Sequence, residues 1–458
     1  MKRLRLLPFH ILTKWLRRTR SILAIGSLCL SLNAYAMPDL MDTYQEALIN
    51  DPTFKQAHNL YLSAKETWPQ ALSALLPTLS ANGNLAYLNY ETASGNPLLN
   101  GNIETSYRQR DYSLSLSQPI FNYAYWMSLK QASNGVKKAL AVYEDALQNL
   151  LLRTATAYFT VLQAKDNVKF TKAQQDANGR SLEQAKQRFH VGLDAIASVY
   201  EAQAAYDSSR ALLIAAKNNL NNQYENLRLL TNRVDTNITS LKSSHVPLIS
   251  LKPSKIDEWT DIALKQNFSL KAAQYATFAA KQTISINNAG HLPNVTLSAT
   301  HNYSDNNSNI AFLRSKNTTN QAKLTLKLPL YSGGLVLSKT RQATYDYQAT
   351  HEALEKIHRS TLVNTRISYN NIIDGISTIK ADKQAVKSAQ NSLESSSAQF
   401  KVGTRTMVDV VTSQKNLFQK QTQLAADQYQ YIIALLQLKY QAGILSTKDL
   451  LKINRWLG

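Results

Sequence analysis

Apolar residues recur along this chain at two different spacings. Over two long stretches they follow steps of three and four residues, which places one apolar stripe on one face of a helix. The first stretch shows this spacing at Leu140, Tyr143, Leu147, Leu151, Tyr158 and Leu162. Neither 120–246 nor 330–458 contains a proline, although the chain has 11. Because proline interrupts a helix, both stretches are predicted to be long helices.

Four shorter segments alternate strictly between apolar and polar residues. In one of them Leu114 and Leu116 alternate with Ser113 and Ser115. This period of two predicts strands at about 77–90, 110–119, 293–304 and 321–330. Strands of about ten residues with one apolar face are typical of a transmembrane β-barrel wall. The alternative is a pair of soluble amphipathic hairpins packed on the helices. The polar segments 91–110 and 305–321 are predicted loops.

The two halves of the chain repeat each other. Tyr158 corresponds to Tyr369, and the segment 189–192 (FHVG) corresponds to 400–403 (FKVG), each 211 residues later. We therefore predict two structural repeats. Each contains a helix, two strands, a long helix, a tight turn and a further helix.

The first repeat is predicted to span 37–250 and the second 251–458. The long helix of the first repeat covers about 121–190, and the helix after the turn covers about 194–231. In the second repeat the corresponding helices cover about 334–401 and 405–442, and a C-terminal segment follows. A proline-containing and serine-containing linker, 234–253, joins the repeats.

The first 36 residues have the pattern of a secretory signal peptide. A basic stretch precedes an apolar run, 22–32, and Ala34-Tyr35-Ala36 forms a cleavage site. An apolar run of about 11 residues is too short to span a bilayer. Removal of this segment takes away the only cysteine, Cys29, and leaves 44 basic and 31 acidic residues, a formal charge of +13.

The remaining positive charge is spread thinly and does not form a basic stripe, so no nucleic-acid partner is expected. The sequence contains no phosphate-binding glycine loop, nucleophile elbow or H-E-x-x-H motif. We therefore expect neither an enzyme nor a cofactor or metal site.

Four strands from one chain cannot close a barrel. A sheet edge exposed to lipid would leave backbone groups unpaired, and known barrels have at least about eight strands. The predicted barrel therefore needs several copies of the chain. Two copies would supply eight strands and three would supply twelve, and periodicity does not choose between them.

Five short segments form a set of recognisable motifs: 156–159 (TAYF), 187–193 (QRFHVGL), 290–293 (GHLP), 328–334 (LPLYSGG) and 402–410 (VGTRTMVDV). Together they make the chain resemble the TolC family of outer-membrane efflux and secretion channels. The resemblance covers essentially the whole chain after the signal peptide.

The resemblance implies a mixed α and β fold, in which a homotrimer forms a 12-stranded transmembrane β-barrel continuous with a periplasmic α-helical barrel of coiled-coil helices. It implies a location in the outer membrane of a Gram-negative cell. It also implies a periplasmic adaptor protein and an inner-membrane efflux pump or ABC transporter as partners. The function would be a passive, gated conduit that exports drugs, toxic compounds or proteins. The alternative is a coiled-coil surface protein, structural or adhesive, anchored by the β-hairpins.

The resemblance also implies a gate at the helix tips, held shut by polar links between neighbouring helix pairs. Arg405 matches the arginine of that network. Its usual partners are altered, because Ala197 and Ser198 replace a threonine and an aspartate, and Phe400 replaces a tyrosine. Our hypothesis is that Asp194 or the Ser198 hydroxyl receives Arg405 in the closed state. The alternative is that Asp194 only caps its helix while Arg405 points to water.

Two further roles follow from the resemblance. Asp409 matches the first of two aspartates that ring the constriction, and Thr412 occupies the second position. A trimer would thus present one ring of three carboxylates, which favours cation passage. Lys323 and Lys327 are expected to face the barrel lumen and to oppose this preference in part.

The repeated tip turns complete the set of candidate site residues. They are Val191-Gly192-Leu193 and Val402-Gly403-Thr404. Glycine permits the tight reversal at each turn. In the resembling family these turns meet the adaptor, so the exposed apolar residues beside the glycines are expected to form the docking site.

Overall fold

The computed structural model describes residues 37–93, 102–233, 237–242, 246–309, 311 and 313–458. The predicted signal peptide, 1–36, lies outside this part of the chain. So do parts of the predicted linker, 234–253.

In the described residues, each half of the chain contains three shorter helices, two strands and two long helices. The elements of the first half are α1 Leu40–Asn50, α2 Pro52–Lys65, α3 Thr67–Ser73, β1 Thr78–Ala93, β2 Asn102–Phe121, α4 Tyr123–His190 and α5 Ile196–Thr231. Those of the second half are α6 Ile256–Gln266, α7 Phe268–Asn288, β3 Asn294–Asn307, β4 Ser315–Lys327, α8 Leu335–Lys401, α9 Met407–Gln441 and α10 Thr447–Asn454. A short 3-10 turn, Ala289–His291, leads into β3.

The four strands form one antiparallel sheet in the order β1-β2-β3-β4. One row of opposing residues crosses it through Leu79, Leu116, Ala299 and Ala322. The next row crosses it through Ser80, Ser115, Thr300 and Gln321. Since successive side chains of a strand point to opposite faces, one face of the sheet is apolar and the other polar.

Within the part of the chain that the structure describes, the apolar face of the sheet is uncovered. Leu79 is 67% exposed, Leu324 66% and Leu326 67%. Among the described residues, β1 pairs only with β2 and β4 only with β3. The sheet therefore has two unpaired edges and one bare apolar face.

The strands extend further than the alternation of apolar residues predicted. Pairing of β1 with β2 continues to Ala93 opposite Asn102, and β4 begins at Ser315 rather than near 321. The predicted loops 91–110 and 305–321 thus contain strand residues at both ends. The physical reason is that backbone hydrogen bonds pair strands even where neither face is apolar. Alternation marks only the part of each strand that has one apolar face.

The long helices pack in antiparallel pairs. Helix α4 lies against α5, α8 lies against α9, and α4 and α9 join the two pairs. The main core forms where α4 and α9 meet, around Tyr158, Phe159, Tyr431 and Ile432, all of which are at most 1% exposed. A second, smaller core lies at the far end of the helices.

A layer of short elements crosses the long helices near their middle. It comprises α1, α10 and the segment 237–242, and it is tied together by contacts between the two ends of the chain. The Leu40 backbone N–H donates to Asn454, and Leu241 forms a β-bridge with Leu457. The Tyr158 hydroxyl, on α4, donates to the Thr239 carbonyl at 2.6 Å. Burial raises the pKa of Tyr158, so the hydroxyl stays a donor at neutral pH.

The hydrogen bond from Tyr158 to Thr239 can be tested against the equivalent tyrosine of the second repeat. Tyr158→Phe should lower the free energy of unfolding by about 1–2 kcal/mol, because the Thr239 carbonyl loses its partner beside a fully buried ring. Tyr369, the counterpart in the second half, donates to the Ser254 carbonyl at an exposed site where water can replace the hydroxyl. Tyr369→Phe should therefore cost less than about 0.5 kcal/mol. Thermal melting followed by circular dichroism at 222 nm compares the two variants. Equal losses would contradict the structural role given to Tyr158.

Candidate functional site

The two tip turns have the same backbone geometry. After α4 the Leu193 N–H donates to the Arg188 carbonyl at 2.8 Å and the Gly192 N–H to the Phe189 carbonyl at 3.0 Å. This pair of bonds is a Schellman motif, which ends a helix on a residue with positive φ. Gly192 has φ of +74°. The turn after α8 repeats the bonds and places Gly403 at φ of +82°.

Apolar side chains project from both turns. Val191 is 70% exposed, Leu193 65% and Val402 74%. A turn that only reversed the chain would not need large apolar residues in water. The tip thus carries a small apolar surface on each hairpin, with the exposed Thr404 beside the second.

Arg188 connects the first turn to the second hairpin. Its Nε donates to Asp194 Oδ2 at 2.9 Å and its Nη2 to Asp194 Oδ1 at 3.3 Å. The guanidinium also lies 5.0 Å from the centre of the Phe400 ring. Both charged side chains are largely sheltered from water, 21% and 14% exposed. One side chain therefore makes a two-point carboxylate contact and a cation–π contact at the same time.

Phe400 is a core residue of the tip. It is 4% exposed and packs in the small tip core with Leu182 and Ala185 of α4, Ala202 of α5, and Met407 and Val410 of α9. This core holds the two hairpins together where the helices end. The hydroxyl of a tyrosine is absent at this position, and the aromatic face receives Arg188 instead.

Within the chain, Asp194 pairs with Arg188, whereas Arg405 does not reach Asp194. Arg405 donates to the Ser396 hydroxyl of its own hairpin at 3.1 Å. Ser198 lies partly buried on the first turn of α5. The suggestion that Asp194 caps the next helix is wrong, because Ala195 is the N-cap of α5 and no side chain caps that helix. The Asp194 carboxylate is instead drawn back across the turn by the Arg188 guanidinium.

The sequence hypothesis missed Arg188. Its position, six residues before Asp194 across the tip turn, was the available signal. The corresponding residue of the second repeat is Gln399, so the charge pair belongs to the first hairpin alone.

Asp409 begins α9 as part of a capping box. The Thr406 backbone N–H donates to Asp409 Oδ2 at 3.0 Å, and the Thr406 hydroxyl donates to the same oxygen at 2.9 Å. These two hydrogen bonds, backbone first, and the nearby Arg405 charge lower the pKa of Asp409. The carboxylate therefore remains charged and close to the tip. Thr412, one turn further along α9, is exposed and uncharged.

Lys323 and Lys327 lie on the polar face of the sheet. Lys323 is opposite Ser298, and Lys327 is opposite Asn294. Both lysines are exposed, and their neighbours along β4, Leu324 and Leu326, point to the apolar face.

Among the described residues, no group of three or more His, Cys, Asp or Glu side chains is placed to hold a metal ion. No helix in the part of the chain that the structure describes is both long and apolar enough to cross a membrane.

Comparison with known proteins places the chain in a family. The model of the family described as "Outer membrane efflux protein" matches residues 43–233 and 259–443. "Outer membrane protein TolC" of Salmonella enteritidis is 37% identical over 429 residues, 92% of this chain and 85% of that protein. "Alkaline protease secretion protein AprF" of Pseudomonas aeruginosa is 27% identical over 433 residues, 92% of this chain and 88% of that protein.

A solved structure has the same fold. The crystal structure of the outer membrane protein VceC from Vibrio cholerae superposes with a TM-score of 0.75 at 21% identity, over 88% of this chain and 96% of that one. The chain belongs to the outer membrane efflux protein family and is an outer-membrane channel protein of mixed α and β fold.

Proposed function

We propose that three copies of this chain form a passive, gated channel that crosses the outer membrane and continues as a helical tunnel into the periplasm. The observation that carries this proposal is the four-stranded sheet, with two unpaired edges and one bare apolar face. Lipid would cover the apolar face, and neighbouring copies would pair the edges. Three copies supply twelve strands, which makes a barrel wide enough for a lumen.

The polar face of the sheet then lines the lumen. It presents serine, threonine and asparagine side chains together with Lys323 and Lys327. The opposite, apolar face meets lipid. In this orientation the polar side chains contact water in the lumen and the apolar side chains contact lipid.

The tip forms the gate of the proposed channel. Within each copy, Arg188 holds the first turn against Phe400 of the second hairpin. Between copies, the exposed Arg405 extends from its hairpin toward Ser198 or Asp194 of the neighbouring copy. Asp409 supplies one ring of three carboxylates near the constriction, and Thr412 adds no second ring.

The exposed apolar residues at the tip and the named roles of related proteins indicate which partners the channel has. The exposed apolar turns at Val191, Leu193 and Val402 suit the docking of a periplasmic adaptor protein. An inner-membrane efflux pump or ABC transporter would supply the energy, because nothing in the tip suggests catalysis. The named role of AprF, secretion of alkaline protease, favours protein export beside efflux of small toxic compounds.

A planar lipid bilayer tests the channel itself. Purified protein should give small, discrete conductance steps, and light scattering of the detergent-solubilised protein should give the mass of three chains. Folded protein that gives no steps would overturn the channel and favour the surface-anchored, adhesive coiled-coil protein instead.

Arg188→Ala should open the tip. The variant loses a partly buried charge pair and a cation–π contact in every copy, so the ratio of open to closed states should rise about 5-fold or more. Larger single-channel conductance and greater entry of a bulky antibiotic into cells measure this change. Arg180→Ala, an exposed arginine on the same helix, is the control. Equal conductance of the two variants would show that Arg188 does not hold the tip.

Asp409→Asn should reduce the preference for cations. The variant removes three negative charges from the ring, so the permeability ratio of K⁺ to Cl⁻ should fall by about 5-fold. The lowered pKa of Asp409 keeps the carboxylate charged to a lower pH than a free aspartate, so wild-type selectivity should persist as the pH falls through the range in which a free aspartate takes up its proton. Reversal potentials measured in a salt gradient report the ratio.

Thr406→Ala separates the charge of Asp409 from its capping role. This variant removes the hydroxyl of the capping box and keeps the carboxylate. If both variants changed selectivity alike, the helix cap rather than the carboxylate ring would be responsible.

A further inference from the structure

A cleft of about 730 Å³ lies on the side of the helices that the segment 237–242 crosses. Helix α9 forms its floor, α4 and α8 form its walls, and Ser240 and Leu241 lie at its end. All of these elements belong to one chain. The cleft is remote from the tip turns and from the sheet, so neither the gate nor the lumen of the β-barrel explains it.

Four lysines line the walls. Lys165 and Lys169 lie one helical turn apart on α4, and Lys383 and Lys387 lie one turn apart on α8. Among the described residues, Lys169, Lys383 and Lys387 form no ion pair and no side-chain hydrogen bond. Lys165 donates to Asn237 Oδ1 at 3.2 Å and to the Ile238 carbonyl at 3.3 Å, both uncharged acceptors. An ammonium group has three donors, so one on Lys165 remains available.

One carboxylate, that of Asp166, belongs to the described cleft lining, against four lysines. Asp166 Oδ2 accepts a hydrogen bond from the Tyr429 hydroxyl at 2.8 Å. Burial, and the Asp166 charge after it, raise the pKa of Tyr429, so the phenol stays neutral and keeps donating. The cleft therefore carries a clear excess of positive charge. Like charges brought together without counter-charges destabilise a protein.

A buried amide side chain belongs to the same lining. Gln428, on the floor, is 5% exposed, and its Nε2 has no hydrogen-bond partner. Leaving a buried amide donor unpaired is unfavourable, and such groups usually have a partner. A small rotation of the side chain into the cleft would bring this donor to an acceptor atom of a ligand.

Apolar side chains also belong to the lining. Phe170, Val386 and Leu424 share it with the polar Gln390 and Gln421. An inorganic ion would leave this surface unused, and a neutral apolar molecule would leave the lysines unpaired. A suitable ligand has an apolar body and several anionic oxygens.

We propose that this cleft binds an organic anion that carries two or more carboxylate or phosphate groups on an apolar body. The lysines of α4 and α8 pair with the anionic groups, and Gln428 Nε2 donates to one of their oxygens.

Isothermal titration of the purified, detergent-solubilised protein tests this proposal with four defined probes. Benzene-1,3,5-tricarboxylate has both features, citrate lacks the aromatic body, inorganic phosphate is a single small anion, and benzamide lacks the charge. The tricarboxylate should bind once per chain and at least about ten-fold more tightly than the other three. Its affinity should fall as the salt concentration rises.

Variants locate the binding. Lys383→Gln with Lys387→Gln should weaken tricarboxylate binding at least about ten-fold. Lys339→Gln with Lys356→Gln removes the same charge from the same helix outside the cleft and should leave the affinity unchanged. Gln428→Leu tests the buried donor, and Lys169→Gln, at an exposed position, tests the opposite wall. Circular dichroism and light scattering check that each variant is folded and assembled.

Two outcomes would overturn the proposal. Equal weakening by the two double variants would mean that net charge alone attracts the probe. Equal affinity for inorganic phosphate and the tricarboxylate would mean an adventitious ion only. Single-channel conductance is measured in parallel, so failure of the cleft and failure of the channel are separate results.

Discussion

The unpaired edges of the sheet are the constraint on which the rest of this molecule depends. In a bilayer no water can satisfy the free N–H and C=O groups of an edge strand, so an open sheet cannot remain in the membrane. The chain brings four strands and leaves β1 and β4 open. Closure therefore has to come from other copies, and symmetry carries into the helices that continue from each strand.

A second constraint is that the wall of a helical tube is thin and can bury few side chains. Long helices packed side by side satisfy this constraint. The two clusters of buried apolar residues in the described part of the chain lie at the middle of the long helices and at the tip. The middle is reinforced by the layer that joins the two ends of the chain. The tip has only a handful of buried residues and a charge pair, so it is the part of the helices where a modest free energy can change the structure.

Duplication has produced similar backbones with different chemistry. Both tip turns have the same Schellman hydrogen bonds, but only the first has an arginine and an aspartate to bridge it. Tyr158 and Tyr369 make equivalent hydrogen bonds, one in the core and one near the surface. The lysine cleft shows the same divergence, because residues from both halves combine there into a site that neither half forms alone.

The sequence by itself predicted the fold class, because periods of 3.6 and 2 residues are properties of the local backbone. Its short motifs, and not these periods, indicated the family. Prolines at 77, 119, 293 and 329 and the glycines at 192 and 403 mark where one period gives way to another. Alternation could not give the full length of the strands, since pairing continues through residues such as Asn102 that have no apolar face.

Only the tertiary structure decided which side chains meet. Arg188 reaches Asp194 because the turn folds back on itself, and it reaches Phe400 because two hairpins pack tip to tip. Lys169 and Lys387 lie in different halves of the chain, and only the packing of α4 and α8 around α9 brings them to one cleft. Contacts of this kind depend on the three-dimensional arrangement of distant segments, and a linear pattern carries no record of that arrangement.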